Sequence, residues 1–150
     1  MKTLCIIPCG KRKIWDKNPE AGPTKAKNVY IGPFAASCRR YAERFYSSAW
    51  CIISAKHGIL FPDDIVPGPY QVTFSKPKTN PISLEKLKAQ VTKKGLEKYQ
   101  NIIVIAGREY VRKVQQVFPE KEVSTPLIHC SSQGNMMRRL RNAREKGEPL

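Results

Sequence analysis

Four short, continuously apolar runs divide this 150-residue chain, and longer segments with helical periodicity separate them. The runs are LCIIP at 4–8, WCIIS at 50–54, NIIVIAG at 101–107 and a weaker one at 122–125. Apolar residues in succession, rather than in alternation, predict strands that are covered on both faces, as in a parallel sheet.

The intervening segments predict helices, because apolar residues recur in them at three- and four-residue spacing. Ser83 is a predicted N-cap, and Pro119 ends the third helix. The predicted helices cover 33–49, 83–99, 108–118 and, with a basic face, about 134–147. Strands that alternate with helices imply right-handed crossovers, so the predicted fold is α/β, a three-layer α/β/α sandwich with a central, mostly parallel four-stranded sheet. A single domain, 1–150, is expected for this length.

Charge is the most informative feature of the composition. Lys and Arg number 27 against 12 Asp and Glu, which gives a formal charge of +15. Nucleic acid is the expected partner, because the neutralisation of phosphates by Lys and Arg releases counterions. DNA is favoured over RNA. The alternative is a soluble, lysine-rich protein without such a partner.

Cysteine usage and hydropathy limit the class of protein further. The five cysteines are scattered and form no CxxC pair, so no metal site and no cofactor are expected. The apolar runs are too short to span a bilayer, and no signal peptide is recognisable. These features predict a reduced, cytoplasmic protein with no membrane partner.

The residues that follow each apolar run are polar, small or basic. Ligands bind outside the carboxyl ends of the strands in an open parallel sheet, so these exits are expected to share one edge and one pocket. Two long segments, 10–32 and 55–82, begin at the exits, and loops of such length in a compact domain are usually functional. The predicted ligand-binding residues at the exits are Cys9, Gly10, Lys11, Lys13, Ser54, Lys56 and Arg108.

The first exit, PCGKRK, is interpreted as an anion cradle. Pro8 stops the strand, Gly10 allows a tight backbone and three cations follow, of which Arg12 is assigned to nucleic acid. The spacing of a P-loop is absent. The alternative is a solvated basic turn. Cys9 beside these cations has the surroundings of a nucleophile, although packing is the other reading.

The second exit, SAKHG, and the acidic segment after it supply the predicted proton-transfer groups. His57 is expected either to touch ligand or to move a proton, with Lys56 holding it neutral; a purely structural donor is the alternative. Asp63 and Asp64 are the paired carboxylates of the chain, and one of them would activate water, unless both belong to a turn. Tyr70 would stack on a base or only anchor its loop.

The last predicted helix and the exit before it complete the predicted site. His129 lies in the fourth exit and is a predicted catalytic residue. The helix is expected to track phosphates, and the alternative is a solvated helix face. Its predicted nucleic-acid-binding residues are Arg138, Arg139, Arg141 and Arg144.

Four segments, taken in order, resemble an uncharacterised prokaryotic and phage domain family. They are PCGKRK at 8–13, YIGPFAASCRRYAERF at 30–45, WCIISAKHGILFPDDIVPGPYQVTF at 50–74 and IIVIAGREY at 102–110. Members of the family start with P-C-[GS]-x-[KR]-K, open a helix with tyrosine-x-glycine, and carry S-A-[KR]-[HY]-G before an acidic, proline-rich loop. The resemblance extends to about Tyr110 and implies no established activity.

Two more distant likenesses both concern nucleobases. PCGKRK is similar to the P-C-S-x-[KR]-K segment of archaeosine synthase, a tRNA-modifying enzyme, but the K-P-Y-S-like continuation is missing here. The layout also resembles a minimal uracil-DNA-glycosylase-type domain, in which His129 would take the place of a late histidine, although the H-P-S context is absent.

The resulting functional hypothesis is a glycosylase-like hydrolase that acts on a nucleobase or its N-glycosidic bond, as in DNA repair. A flipped base would enter the pocket, Asp63 or Asp64 would position water, and His57 or His129 would stabilise the departing base. Two alternatives remain open. One is a non-catalytic nucleotide or nucleic-acid binding module, and the other is a factor for tRNA base modification.

Overall fold

The computed structural model describes residues 2–150 and shows a mixed α/β fold around a mostly parallel five-stranded sheet. All four predicted apolar runs form strands of this sheet, and they are mutually parallel. The run at 101–107 is a strand only as far as Val104. The strands are β1 (Thr3–Pro8), β3 (Trp50–Ser54), β4 (Gly58–Leu60), β6 (Asn101–Val104) and β7 (Glu122–Ser124). Their order in the sheet is β4-β3-β1-β6-β7.

The prediction of four strands omitted the edge strand β4. It pairs antiparallel with β3, and Ser54 lies opposite Gly58. The chain therefore reverses direction over three residues immediately after β3, at a point where the sequence predicts a loop that lines a pocket. Gly58 has φ +74°, the left-handed conformation that closes three-residue hairpin loops.

The two long segments predicted as loops are partly structured and are joined to each other. The first contains the short helices α1 (Ile14–Lys17) and α2 (Ala26–Val29) and the strand β2 (Thr24–Lys25). The second contains β5 (Ile65–Val66), which pairs antiparallel with β2. Residues 62–66 are therefore fixed against the first segment, and this pairing determines where the acidic residues of the second segment lie.

The longer helices follow the predicted positions, with ends that differ by a few residues. The Ser83 hydroxyl accepts the Lys86 N–H at 3.2 Å, as expected of an N-cap. A separate 3₁₀ turn, Leu96–Lys98, covers the end of what was predicted as one helix. The helices are α3 (Pro33–Phe45), α4 (Leu84–Lys93), α5 (Arg108–Val117) and α6 (Gln133–Lys146).

The core lies on both faces of the sheet, because alternate residues of β1 point to opposite sides. Cys5 and Ile7 belong to a buried cluster that also contains residues of α3 and α6. Leu4 and Ile6 belong to a second cluster, with residues of α4 and α5. Each fully buried Leu or Ile stabilises the fold by about 1.5–3 kcal/mol, so the two clusters fix the sheet and its helices as one unit.

Gly58 is held by a contact that only glycine permits. The Gln90 side chain of α4 donates to the His57 carbonyl at 2.9 Å and accepts the Ile59 N–H at 2.8 Å. These two hydrogen bonds pair backbone groups at the open edge of β4. A Cβ on Gly58 would collide with the Gln90 amide.

We expect Gly58→Ala to lower the free energy of unfolding by about 2–4 kcal/mol, because it adds left-handed strain and displaces both Gln90 hydrogen bonds. The matched control is Gly95→Ala. Gly95 also has positive φ, +70°, but its Cβ would meet nothing within 4 Å, so the control carries the backbone strain alone. Urea unfolding measures both variants, and an equal loss in the two would show that the Gln90 contact contributes nothing.

Candidate functional site

A cavity of about 510 Å³ opens at the carboxyl ends of β1 and β6. This volume falls in the range of small-molecule sites, and the position is the one expected for ligands of a parallel sheet. The cavity is lined by residues 8–12, 32–35 and 107–110, together with Thr73, Gln133 and Met136. The loop after β1 and the first turns of α3 and α5 thus meet at one edge of the sheet, where β1 and the adjacent parallel strand β6 both end.

Two long helices begin at the cavity wall. The N-caps of α3 and α5 are Gly32 and Gly107, and neither helix has a side-chain hydrogen bond at its cap. Uncapped first turns leave backbone N–H groups free, and the helix dipole adds partial positive charge there. Both helix ends therefore present anion-binding groups to the cavity.

Side-chain charge adds to the helix termini. Lys11, Arg12 and Arg108 line the cavity and are exposed, and none of them forms an ion pair with the part of the chain from 2 to 150. Glu109 is the one carboxylate among the lining residues. The cavity thus has a net positive wall with a single acid.

The remaining wall is apolar and aromatic. Phe34, Met136 and the ring of Tyr110 line it, and Phe74 packs edge-on against Tyr110 at a centroid distance of 6.0 Å. Flat apolar surfaces of this kind suit a planar ring, so the cavity combines an anion-binding side with a side suited to stacking.

Cys9 lines the cavity, but its thiol is directed toward protein. Its sulfur lies 3.2 Å from the Tyr110 hydroxyl. Burial raises the pKa of Cys9, and this effect outweighs the opposing influence of the Tyr110 hydrogen bond and of Lys13. The thiol is therefore protonated at neutral pH, which favours the packing interpretation of Cys9 over the nucleophile.

Lys13 lies beneath the cavity rather than in its wall. Its side chain is buried, its ammonium donates to the Lys11 carbonyl at 3.1 Å, and it lies 4.4 Å from the centroid of the Tyr70 ring. Burial lowers its pKa. The prediction that Lys13 contacts ligand does not agree with this position, because Lys13 supports the loop 9–12 from inside.

The SAKHG exit is a hairpin turn and does not open on the cavity. The buried Ser54 hydroxyl accepts the N–H groups of Lys56, at 3.3 Å, and His57, at 3.1 Å. Neither Lys56 nor His57 lines the cavity. The expectation that all four strand exits line one pocket is thus too broad, because the chain after β3 folds back into the antiparallel edge strand β4.

Tyr70 anchors its loop and is not available for stacking on a base. It is 8% exposed, and its hydroxyl hydrogen-bonds with Tyr30 and, at 2.8 Å, with Ser54. The three hydroxyls join α2, β3 and the loop after β5. Of the two readings of Tyr70, the structure supports the anchor.

His57 packs edge-on against Tyr70, at a centroid distance of 5.2 Å. Its Nε2 atom is buried without a hydrogen-bond partner among residues 2–150. Burial, and then the charge of Lys56, lower the pKa of His57. Both effects favour the neutral imidazole, and burial is the larger of the two.

The two acidic residues predicted to activate water lie elsewhere. Asp63 forms ion pairs with Lys27, at 3.1 Å, and Lys25, at 3.7 Å. Neither carboxylate lines the cavity, and no hydrogen bond or ion pair recorded for the described chain joins either of them to His57.

Asp64 closes a turn, as the alternative interpretation held. Its Oδ2 atom accepts the Phe61 N–H at 2.8 Å and pairs with Lys94 at 3.2 Å. The pairing of β5 with β2 fixes this segment away from the cavity. The geometry therefore contradicts the placement of Asp63 and Asp64 beside the pocket.

The remaining predicted residues lie near the start of α6 or along it. His129 is exposed and is not part of the cavity wall. Arg138, Arg139 and Arg141 are exposed on α6, whereas the Arg144 guanidinium turns inward and donates to the carbonyl and hydroxyl oxygens of Ser37 at 3.2 and 3.3 Å.

Several lining residues were not among the predicted site residues. They are Phe34, Glu109, Gln133 and Met136. The sequence signal for these residues is their position in, or directly after, the first turn of a helix that begins after a glycine or a serine. Side chains there lie at the edge of the sheet rather than on its face.

No group of three or more His, Cys, Asp or Glu side chains within 2–150 is arranged to hold a metal ion. Likewise, no helix in that range has both the length and the apolar character needed to cross a membrane.

Residues 4–142 match DUF6884, a family of unknown function. The chain belongs to this family. The match continues past Tyr110, where the resemblance seen in the sequence ended, and so includes most of α6.

One relative is the uncharacterized protein YfjM of Bacillus subtilis (strain 168), which is 40% identical over 151 residues and is matched over 100% of both chains. Among solved structures, the crystal structure of AF0587, a protein of unknown function, is similar with 15% identity and a TM-score of 0.46. The match covers 99% of this chain and 46% of that one, so the chain spans less than half the length of AF0587.

The lowered pKa of His57 predicts a pH dependence of stability. The native state favours the neutral imidazole, so the unfolded chain takes up a proton first as the pH falls below about 6.5, and the free energy of unfolding decreases there. His57→Phe keeps the aromatic contact with Tyr70 and should make the decrease between pH 7 and pH 5 shallower. The control is His129→Gln, at an exposed histidine. Urea unfolding at several pH values measures this, and an unchanged slope in His57→Phe would contradict it.

Proposed function

We propose that the protein binds a nucleoside phosphate in the cavity, with the phosphate against the N-termini of α3 and α5. The observation that supports this most strongly is the meeting of two uncapped helix N-termini with three unpaired cations in one cavity of about 510 Å³. Phosphate is an anion that both helix N-termini and guanidinium groups bind.

The opposite wall favours a nucleoside over inorganic phosphate. Phe34, Tyr110 and Met136 offer a surface on which a base can stack. Glu109 and Gln133 supply hydrogen-bonding groups that can select sugar hydroxyls or base edges. In the same proposal, the helices on the two faces of the sheet form a three-layer α/β/α sandwich, whose central strands hold these loops rigid.

Binding is favoured over the hydrolysis first expected, because the carboxylates assigned to water activation are engaged in ion pairs away from the cavity. This favours the non-catalytic binding module among the functions considered from the sequence. Its ligand is the phosphate of a nucleotide, either free or within a nucleic acid.

A second function is supported by Glu109, the acid of the cavity wall. In a glycosylase-like reaction, this carboxylate would position a water molecule that attacks C1′. The water oxygen would bond to C1′ and its proton would pass to Glu109, while the bond between C1′ and the base would break with its electron pair on the base, which would take a proton from solvent. Glu109 takes over the role first given to Asp63 or Asp64.

The test of nucleotide binding is calorimetric titration with the common deoxynucleoside 5′-monophosphates and with the corresponding nucleosides. We expect the monophosphates to bind and the nucleosides to bind far more weakly. Arg108→Ala should weaken monophosphate binding about 10-fold to 100-fold, the usual contribution of a hydrogen bond to a charged group. The control is Arg112→Ala, which removes an exposed arginine one turn later in α5, outside the cavity. Equal losses in both variants would contradict the proposal.

Glu109→Gln separates the two functions. If the cavity only binds, this variant should bind monophosphates as well as the native protein or better, since a negative charge beside the phosphate is gone. If the protein is a hydrolase, incubation of the native protein with duplexes that carry uracil, hypoxanthine or alkylated bases should yield abasic sites. Glu109→Gln should then reduce that yield about 100-fold or more. The absence of abasic sites from all such duplexes would exclude the hydrolase.

A further inference from the structure

The packed helices α3 and α6 both begin at the cavity and carry a concentration of arginines away from it. Residues 33–35 of α3 and Gln133 and Met136 of α6 belong to the cavity wall. The inner face of α6, with Leu140 and Ala143, is buried. Its outer face is therefore solvent-exposed, and it extends from the cavity mouth along the surface.

Arginines from the two helices lie close together along the line where the helices meet. The Arg144 guanidinium bridges the helices through Ser37 of α3. Arg40 follows Ser37 by one turn of α3, and Arg141 precedes Arg144 by one turn of α6, so both lie next to this bridge. Burial, and then the charges of Arg40 and Arg141, lower the pKa of Arg144. We call these three residues, together with the exposed Arg138 one turn before Arg141 on α6, the arginine seam.

No arginine of the seam forms an ion pair within residues 2–150, and Glu145 is the one carboxylate whose charge acts on the pKa of Arg144. Only Arg39, on the flank of α3, forms an ion pair there, with Glu43 at 3.2 Å. Arg138 and Arg141 are one turn apart on α6 and are exposed. Like charges gathered in this way without ion pairs cost stability, and an anionic partner that spans several of them would remove that cost.

A membrane surface does not fit the seam. A helix that binds in the membrane interface needs an exposed apolar face, and the apolar face of α6 is buried. Ile65 is the one large hydrophobic side chain that is exposed in the described chain, and it belongs to β5, not to the seam. A charged polymer without a hydrophobic surface is the better match.

We propose that the arginine seam binds the phosphodiester backbone of a nucleic acid and leads one of its nucleotides into the cavity. This inference rests on the proposed function, since it makes the nucleoside phosphate in the cavity part of a polymer. A single strand fits more readily than a duplex, because a base in a duplex must first be unpaired and flipped before it can enter the cavity.

The experiment compares two charge-matched double variants by fluorescence anisotropy with a labelled single-stranded oligonucleotide at several salt concentrations. Arg138→Gln with Arg141→Gln removes two charges from the seam. Lys88→Gln with Arg112→Gln removes two exposed charges from α4 and α5, which pack on the other face of the sheet. Calorimetry with a deoxynucleoside monophosphate is run on the same proteins, and unfolding midpoints show that they are folded.

The seam variant should weaken oligonucleotide binding about 10-fold or more. It should also reduce the slope of log affinity against log salt by about 1.4, the value for two lost phosphate contacts on a single strand. Its affinity for the monophosphate should stay unchanged, and the control variant should bind the oligonucleotide within about twofold of the native protein.

Three results would overturn the proposal: equal losses in both double variants, no oligonucleotide binding by the native protein, or equally tight binding of polyglutamate or of anionic vesicles. A failure of the proposed function alone gives a different result. The monophosphate then does not bind, while oligonucleotide binding is still weakened by the seam variant and is unaffected by Arg108→Ala.

Discussion

The hydrogen bonding of β1 to a parallel strand on each side is the constraint on which the rest of this structure depends. Because β1 lies between β3 and β6, its carboxyl end meets that of β6, and the loops after both strands share one edge. The same crossovers bring the N-termini of α3 and α5 to that edge. The position of the cavity and of the two helix N-termini in its wall is thus a consequence of sheet topology, and the side chains in the wall add charge and shape.

A second layer of polar contacts supports the cavity from below. The hydroxyls of Tyr30, Tyr70 and Ser54 join three separate segments, and Lys13 packs over the Tyr70 ring. Buried polar groups that are paired in this way fix one arrangement of the loops, whereas an unpaired group would cost about 1–3 kcal/mol. These residues therefore have a structural role, although the sequence suggested that several of them touch ligand.

The sequence predicted the features that depend on local pattern or on the geometry of neighbouring strands. The apolar runs predicted four parallel strands, which the structure contains. The residues predicted at the exits of β1 and β6 include Cys9, Gly10, Lys11, Arg12 and Arg108, which line the cavity. The SAKHG segment was interpreted as part of a pocket, although a glycine at the end of a three-residue loop after a strand is typical of a β-hairpin.

Other features depend on contacts between residues far apart in the sequence, and spacing does not reveal them. Asp63 is held by Lys25 and Lys27, and Asp64 by Lys94, so the acidic segment is directed away from the cavity by partners 30 or more residues distant. The seam across α3 and α6 has the same origin. Its arginines come from segments about a hundred residues apart, and the packing of the two helices brings them together.

The most direct test of the central claim is an NMR titration of the ¹⁵N-labelled protein with a deoxynucleoside monophosphate. If the phosphate binds at the N-termini of α3 and α5, the largest amide shifts will be at 34–35 and 108–110, and the matching nucleoside will not reproduce them. Shifts centred on the SAKHG turn and Tyr70, or equal shifts with the nucleoside, would contradict the account.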